Sequence, residues 1–370
     1  MHGTLTFTRP ADVVADEERP GLLRALHAGD DEAGDSHRCD LRDLAAAGSV
    51  EPGLESAGFE TVDLSDNLAL QRALDDVREL DQLTASTEAA IRASLDGKGL
   101  GLSNGSSLQI DLLVDDGFFH RRSGPNGLDV NPGGIDGING HSGAQFVHGD
   151  QDVFGTPLRQ LMHGAAPEMF RHLTPDGRND DATTFLINLW IPLHAPVQPL
   201  ALMDRRSLDA ERHQLRYGLP VDGFLDRDDD ATVNDIWNFL YDADQQWYIR
   251  SDMGSGQGYV FDTLGTAHGA AVLPGEDALE ELYLTLQRAC AALDDGDAEA
   301  LRSIAAHPFT LRPPADATPA IRDAWQTMAA LHGRVAESDP DEWRTQAQAA
   351  MNAVIRRSVE MRLVATLVTE

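Results

Sequence analysis

Two polar side chains at the end of an apolar run offer this chain its clearest chemistry: His148 and Asp150 in Phe146-Val147-His148-Gly149-Asp150-Gln151-Asp152. In an extended backbone, residues i and i+2 project to the same side, so the imidazole and the carboxylate can converge on one metal ion. They would supply two corners of a facial triad. A second, distant histidine would complete it and leave three positions of a ferrous ion open, as dioxygen chemistry requires. His268 is the best candidate, because Gly258 to His268 reads as another strand ending in a histidine. It lies 120 residues beyond His148, so the fold must bring the two strands together. His141 is a rival ligand, but it sits in a glycine-rich segment where substrate contact or plain exposure is expected.

The elements that must position these residues are short. Strand-like runs recur at Ala144 to His148, Thr183 to Leu193, Val197 to Met203, Gln246 to Arg250 and Gly258 to Leu264. Ser107 to Phe119 alternates, with Leu108, Ile110, Leu112 and Val114 on one face. Before them, apolar residues from Leu68 to Ile91 fall mostly three or four apart, which predicts a helical stripe over 67–94. Helical spacing returns from Glu276 onward, between Ile321 and Leu331, and between Trp343 and Val368. This order predicts a mainly β core with surrounding helices, an α+β arrangement built on a barrel or sandwich. Residues 1–50 are expected as a peripheral arm, 51–275 as the core with its preceding helix, and 276–370 as a helical extension. The acidic run Asp30 to Asp35 is expected as a solvated loop. Seven glycines between Gly124 and Gly143, with Pro125 and Pro132, predict a long loop of the kind that often forms a functional lid.

Composition narrows the function classes. The chain has 370 residues and a formal net charge of −32. Such a field repels phosphate backbones and anionic lipid, so neither nucleic acid nor a membrane surface is expected as a partner. Lys98, the sole lysine, lies outside any phosphate-loop pattern, and Cys39 and Cys290 cannot build a thiolate zinc site or a disulfide framework. No signal peptide is read at the start, and a cytoplasmic location is expected. Gly254 to Gly258 leads into a strand rather than a helix, which fits a hairpin turn better than a dinucleotide site. Gly140 to Ala144 lacks the glycine register of a serine-hydrolase elbow. The run Asp226 to Asp230 lacks the glycine and glutamate of a calcium loop and is expected as a solvated loop.

Thr184 to Leu193, followed by Leu200 to Ser207, resembles the central strands of iron(II)/2-oxoglutarate-dependent dioxygenases. The run Gln245-Gln246-Trp247-Tyr248, with Met253 and Phe261-Asp262-Thr263, resembles the strand pair leading to their distal histidine. The likeness covers roughly 105–275, a stretch that resembles the phytanoyl-CoA dioxygenase group and the cephalosporin-hydroxylase-like enzymes of bacterial secondary metabolism. It implies a double-stranded β-helix (jelly roll), with Fe(II) held by His148, Asp150 and His268. It further implies 2-oxoglutarate as cosubstrate, dioxygen as oxidant and hydroxylation of a small organic substrate. Asp150 speaks against a halogenase, in which the carboxylate position is vacated for chloride. These enzymes usually hold the far carboxylate of 2-oxoglutarate with a basic residue shortly after the distal histidine, and here none follows His268 until Arg288. Arg206 and Arg250 are the preferred anchors, since each lies in or beside a core strand and an arginine fork matches a carboxylate. Asn188 and Trp190 share a strand face and are placed in the same pocket. The alternative is a non-catalytic jelly-roll binding protein, which would bind no iron and give no charge-transfer band with 2-oxoglutarate.

Overall fold

The computed structural model describes residues 1–26, 34–131, 133–220, 233–307, 309–336 and 338–369. The run Asp226 to Asp230 lies outside the described residues, as do residues 30–33 of the first acidic run, whose Gly34 and Asp35 begin a strand. Among the described residues, ten strands form one strongly curled mixed sheet and seven form a second sheet. The strands of the first include His148–Gly149, His268–Ala270, Leu200–Met203 and Trp247–Ile249, and those of the second include Gln257–Asp262, Thr184–His194 and Arg356–Val368. This is the jelly-roll architecture that the strand pattern and the resemblance imply.

The second sheet has one dry face and one chemical face. Along Thr184–His194 the odd-numbered Phe185, Ile187, Leu189, Ile191 and Leu193 pack into a hydrophobic layer with Leu70, Leu74, Val77, Ile91 and Leu95 of the helices Leu68–Leu80 and Ala85–Leu95. Period-two alternation therefore turns Asn188 and Trp190 inward, between the sheets. The helical stripe over 67–94 is two helices: Asp81 takes a left-handed conformation at φ 54° and ends the first, and Thr84 opens the second with a capping box.

Two stretches differ from the sequence expectation. Residues 1–50 are not a peripheral arm at the level of their elements. His2–Thr8 pairs antiparallel with Gly34–Asp43, which runs parallel to Trp247–Ile249, and Leu5 and Phe7 have no solvent exposure. The acidic connections around these strands dilute the alternation of Leu5 with Phe7 and of Cys39 with Leu41. The stretch Trp343 to Val368 is not one helix either. A helix, Pro340–Asn352, is followed by the thirteen-residue strand Arg356–Val368, which pairs with Thr184–His194 on one side and with Ser107–Leu113 and Phe119–Ser123 on the other. Val359, Met361, Leu363, Ala365 and Leu367 face the helical layer, so this strand alternates as its neighbour does. The helices Glu276–Asp294, Pro319–His332 and Pro340–Asn352 thus lie between two core strands in sequence, and they pack on the outside of the curled sheet. No helix of the described residues is long and apolar enough to cross a membrane.

Candidate metal centre

His148 and His268 face each other across adjacent antiparallel strands as direct register partners, with ring centroids 4.3 Å apart. Each imidazole hydrogen-bonds through Nδ1 to the carbonyl two residues before it, Phe146 and Thr266 respectively, at 3.0 Å. A carbonyl only accepts, so both Nδ1 atoms carry the proton and both Nε2 atoms present a lone pair. Those lone pairs point at one oxygen: Asp150 Oδ1 lies 3.6 Å from His148 Nε2 and 3.7 Å from His268 Nε2. These separations are too long for hydrogen bonds. The other carboxylate oxygen, Oδ2, accepts from Asn188 Nδ2 at 3.1 Å, which fixes the rotation of the carboxylate.

Three acceptor atoms with no proton between them repel unless a cation joins them, and all three lie within 4.8 Å of one another. The electrostatics favour the ligating forms. Burial, with His148 adding to it, pushes the His268 imidazole down to about 4, so the ring is neutral near pH 7. Burial would raise Asp150, but the facing imidazoles and the positive field of Arg362 outweigh it and hold the carboxyl well below its ordinary range. Two imidazoles and one carboxylate match the donor set of a non-haem ferrous site with open positions.

Around the triad, the inward face of Arg356–Val368 carries a charged row. The register sets Arg362 opposite Asn188 and Glu360 opposite Trp190. Glu360 accepts both arms of the Arg121 guanidinium, at 2.7 and 2.8 Å, and this pairing outweighs the burial that would raise its carboxyl. Arg121 also donates to the carbonyl of Ser142, tying the glycine-rich segment to the strand Phe119–Ser123. Arg356 is different. It is almost fully buried, and among the described residues its Nε and Nη1 have no hydrogen-bond partner. Its guanidinium lies 5.4 Å over the Trp190 ring.

The other sequence candidates fall as follows. Asn188 meets the triad directly, and Trp190 lies beneath Arg356. Arg206 is turned to its own neighbour, with Nη2 2.6 Å from Asp204 Oδ2, and its side chain is 60% exposed. Arg250 is engaged by Asp252 at 2.9 Å and Glu51 at 3.4 Å, and it lines a cavity of about 360 Å³ to which no triad residue contributes. Neither has the free, buried fork an anchor needs. His141 bonds to the Gly137 carbonyl and stands outside the triad. Sequence reasoning missed Arg356, Arg121 and Glu360. The alternation in Arg356-Arg357-Ser358-Val359-Glu360-Met361 was the available signal.

No protein-family model matches the chain, and no curated protein matches it. Among solved structures it is similar to the iron and alpha-ketoglutarate-dependent endoperoxidase NvfI. The TM-score is 0.50 at 15% sequence identity, with 99% of this chain and 97% of that chain covered. A variant of the same enzyme aligns at a TM-score of 0.49 and 15% identity, covering 99% and 96% of the two chains. At this identity the likeness speaks for the fold, and it spans the helices between His268–Ala270 and Arg356–Val368 as well as the sheets. The chain therefore shares its double-stranded β-helix fold with that structure.

Proposed function

We propose that this protein is an iron(II)/2-oxoglutarate-dependent oxygenase that oxidises an unactivated C–H bond of a small organic molecule, with secondary metabolism as its setting. The observation that carries the reading is the convergence of three unprotonated acceptor atoms, from His148, Asp150 and His268, on one point inside a jelly roll. When bound, iron(II) with 2-oxoglutarate supplies dioxygen activation coupled to decarboxylation of the cosubstrate to succinate.

The chain's own residues have separable tasks. His148 and His268 offer Nε2 because their Nδ1 protons are committed to backbone carbonyls. Asn188 holds Asp150 so that Oδ1 faces the two Nε2 atoms, where it would join them in holding the metal. Arg356 replaces Arg206 and Arg250 as the anchor for the far carboxylate of 2-oxoglutarate. A buried guanidinium whose Nε and Nη1 have no hydrogen-bond partner among the described residues is costly, and an anionic ligand relieves that cost. The anchor follows His268 by 88 residues because a helical layer intervenes, although the strand that carries it lies in the sheet facing the metal ligands. Asp150 occupies the position that a halide would need, which favours hydroxylation or a related oxidation over halogenation.

The test is an anaerobic iron(II) titration with and without 2-oxoglutarate, followed by succinate measurement across a panel of small metabolites. A visible charge-transfer band that needs both components is expected. Absence of the band, together with absence of succinate, contradicts the reading. His148→Ala and Asp150→Ala should each abolish iron-dependent succinate formation while the fold persists, since each removes one of three protein donors.

A further inference from the structure

Behind Arg356 lies a second buried carboxylate, which none of the tasks above uses. Glu276 opens the helix Glu276–Asp294 and has no solvent exposure. It accepts three backbone N–H groups from three separate segments. Oε1 takes Gln198 at 2.8 Å and Leu273 at 2.9 Å, and Oε2 takes Asn126 at 2.8 Å. Asn126 begins the glycine-rich segment, and its side chain donates again to Glu280 of the same helix at 2.7 Å. Gln198 belongs to the connection before Leu200–Met203. It holds a left-handed conformation at φ 48°, and its Oε1 accepts from Ser123, the register partner of Arg356.

The far end of the glycine-rich segment meets the same place. A Cβ built on Gly143 would lie 2.9 Å from Arg356 Nη1 and 3.6 Å from Gln198 Oε1, so the backbone there is pressed against the guanidinium. The far end of the segment and Arg356 therefore meet at Gln198, and the Glu276 carboxylate holds that connection together with the near end of the segment at Asn126. The charged groups acting on Arg356 are Glu276, Glu360 and Arg121, and Glu360 is already committed to Arg121.

We infer that Glu276 is a positioning residue: by holding Asn126, Gln198 and the start of its helix together, it fixes Arg356 in the orientation that receives the carboxylate of 2-oxoglutarate. The consequence is that occupancy of the anchor and order in the glycine-rich segment are coupled. This inference rests on Arg356 being the cosubstrate anchor.

The sign of one measurement separates positioning from simple electrostatics. At fixed geometry, removing a negative charge near Arg356 would strengthen the binding of a dianion. Weaker binding therefore reports lost positioning. The experiment compares wild type, Glu276→Asp and Glu276→Gln at pH 8, with iron(II) under anaerobic conditions. It measures 2-oxoglutarate affinity by calorimetry and amide hydrogen exchange with and without the ligand. Glu276→Asp keeps the charge but is one methylene too short to reach all three N–H groups, and Glu276→Gln keeps the length but turns one acceptor into a donor. Both are expected to weaken 2-oxoglutarate binding roughly tenfold, the scale of one impaired hydrogen bond to a charged group. Iron(II) affinity should be retained, and exchange should quicken both at 124–131 and at the start of Arg356–Val368. An aspartate variant that binds like wild type, or a glutamine variant that binds more tightly, overturns the inference. If neither variant folds, the wild type decides: bound 2-oxoglutarate should slow exchange at the Asn126 and Gln198 amides, and no slowing overturns it. If the wild type does not bind 2-oxoglutarate, the oxygenase reading falls on its own. Ligand-free exchange then judges the clamp, which fails if the aspartate variant loosens Asn126 without loosening Arg356.

Discussion

Replacing Arg356 with Leu removes the buried guanidinium and its contact over the Trp190 ring, and fills part of the space with an apolar side chain. A charge-assisted contact to a carboxylate contributes about 1.5 to 3 kcal/mol, so 2-oxoglutarate affinity should fall roughly ten- to a hundredfold. Iron(II) affinity should barely change. Arg206→Leu and Arg250→Leu serve as controls, because their guanidiniums are already paired with Asp204, and with Asp252 and Glu51. If either control loses as much affinity as Arg356→Leu, the anchor is misassigned. His120 gives a prediction of a different kind. It is buried, both ring nitrogens lack hydrogen-bond partners among the described residues, and burial holds the imidazole down to about 4, with Arg122 and Arg357 opposing the help of Asp81. As pH falls from 6.5 toward 4, the unfolded chain takes up this proton and the native chain does not, so stability is lost across that window. Urea unfolding of wild type and His120→Leu at pH 7.5 and pH 5 should show the smaller acid loss in the variant, and equal losses would contradict the assignment. The triad was legible in the sequence because each histidine ends a short apolar run, and a strand forces residues 148 and 150 to one side. Arg356 was not, because the alternation around it is short and follows directly on a helical pattern, and nothing in it says which face of the strand meets the site.

At the scale of elements, the last strand does two jobs through its pleat. Its odd-numbered residues complete the helical layer, while Arg356, Glu360 and Arg362 face the site. A stretch buried on both faces shows no clean polar side, which is why Trp343 to Val368 could read as one continuous helix. The glycine-rich segment was recognised as a loop from composition alone. Its role depends on what Gly143 touches, and composition is silent on that. Gly143→Ala tests the contact. The new Cβ would stand 2.9 Å from Arg356 Nη1, the far end of a flexible side chain, so the guanidinium must shift from its place over Trp190. The expected outcome is weaker 2-oxoglutarate binding with the unfolding midpoint nearly unchanged, read by calorimetry and thermal melting. Unchanged binding would mean that Arg356 relaxes freely, and it would weaken the anchor assignment with it.

Across the whole molecule, the chain ends are structural rather than peripheral, and this bears on how the site is held. His2–Thr8 forms isolated bridges from Thr4 to Val272 and from Thr6 to Phe146, so it touches the chain two residues before His148 and four residues after His268. Leu5 and Phe7 share a hydrophobic core with Val147, Ala267 and Ala271, which flank the two histidines, and with Leu279 and Leu282 of the outer helix. An acidic, weakly periodic sequence hid this, since with 61 Asp and Glu residues the apolar alternation of one short strand is easily overlooked. Deleting residues 1–43 would strip four strands from the curled sheet, His2–Thr8 and Gly34–Asp43 at one edge and Val13–Ala15 and Leu23–Ala25 at the other, and expose the edge of Trp247–Ile249, together with the apolar surface that Leu5, Phe7, Cys39 and Leu41 cover. Truncation should therefore not leave a trimmed, active core. Loss of the cooperative thermal transition, rapid proteolysis and loss of iron(II) binding are expected together. A truncated protein that melts cooperatively and binds iron(II) like the full chain would return the first strands to the status of an arm, and would show that the strands bearing His148 and His268 hold their register without them.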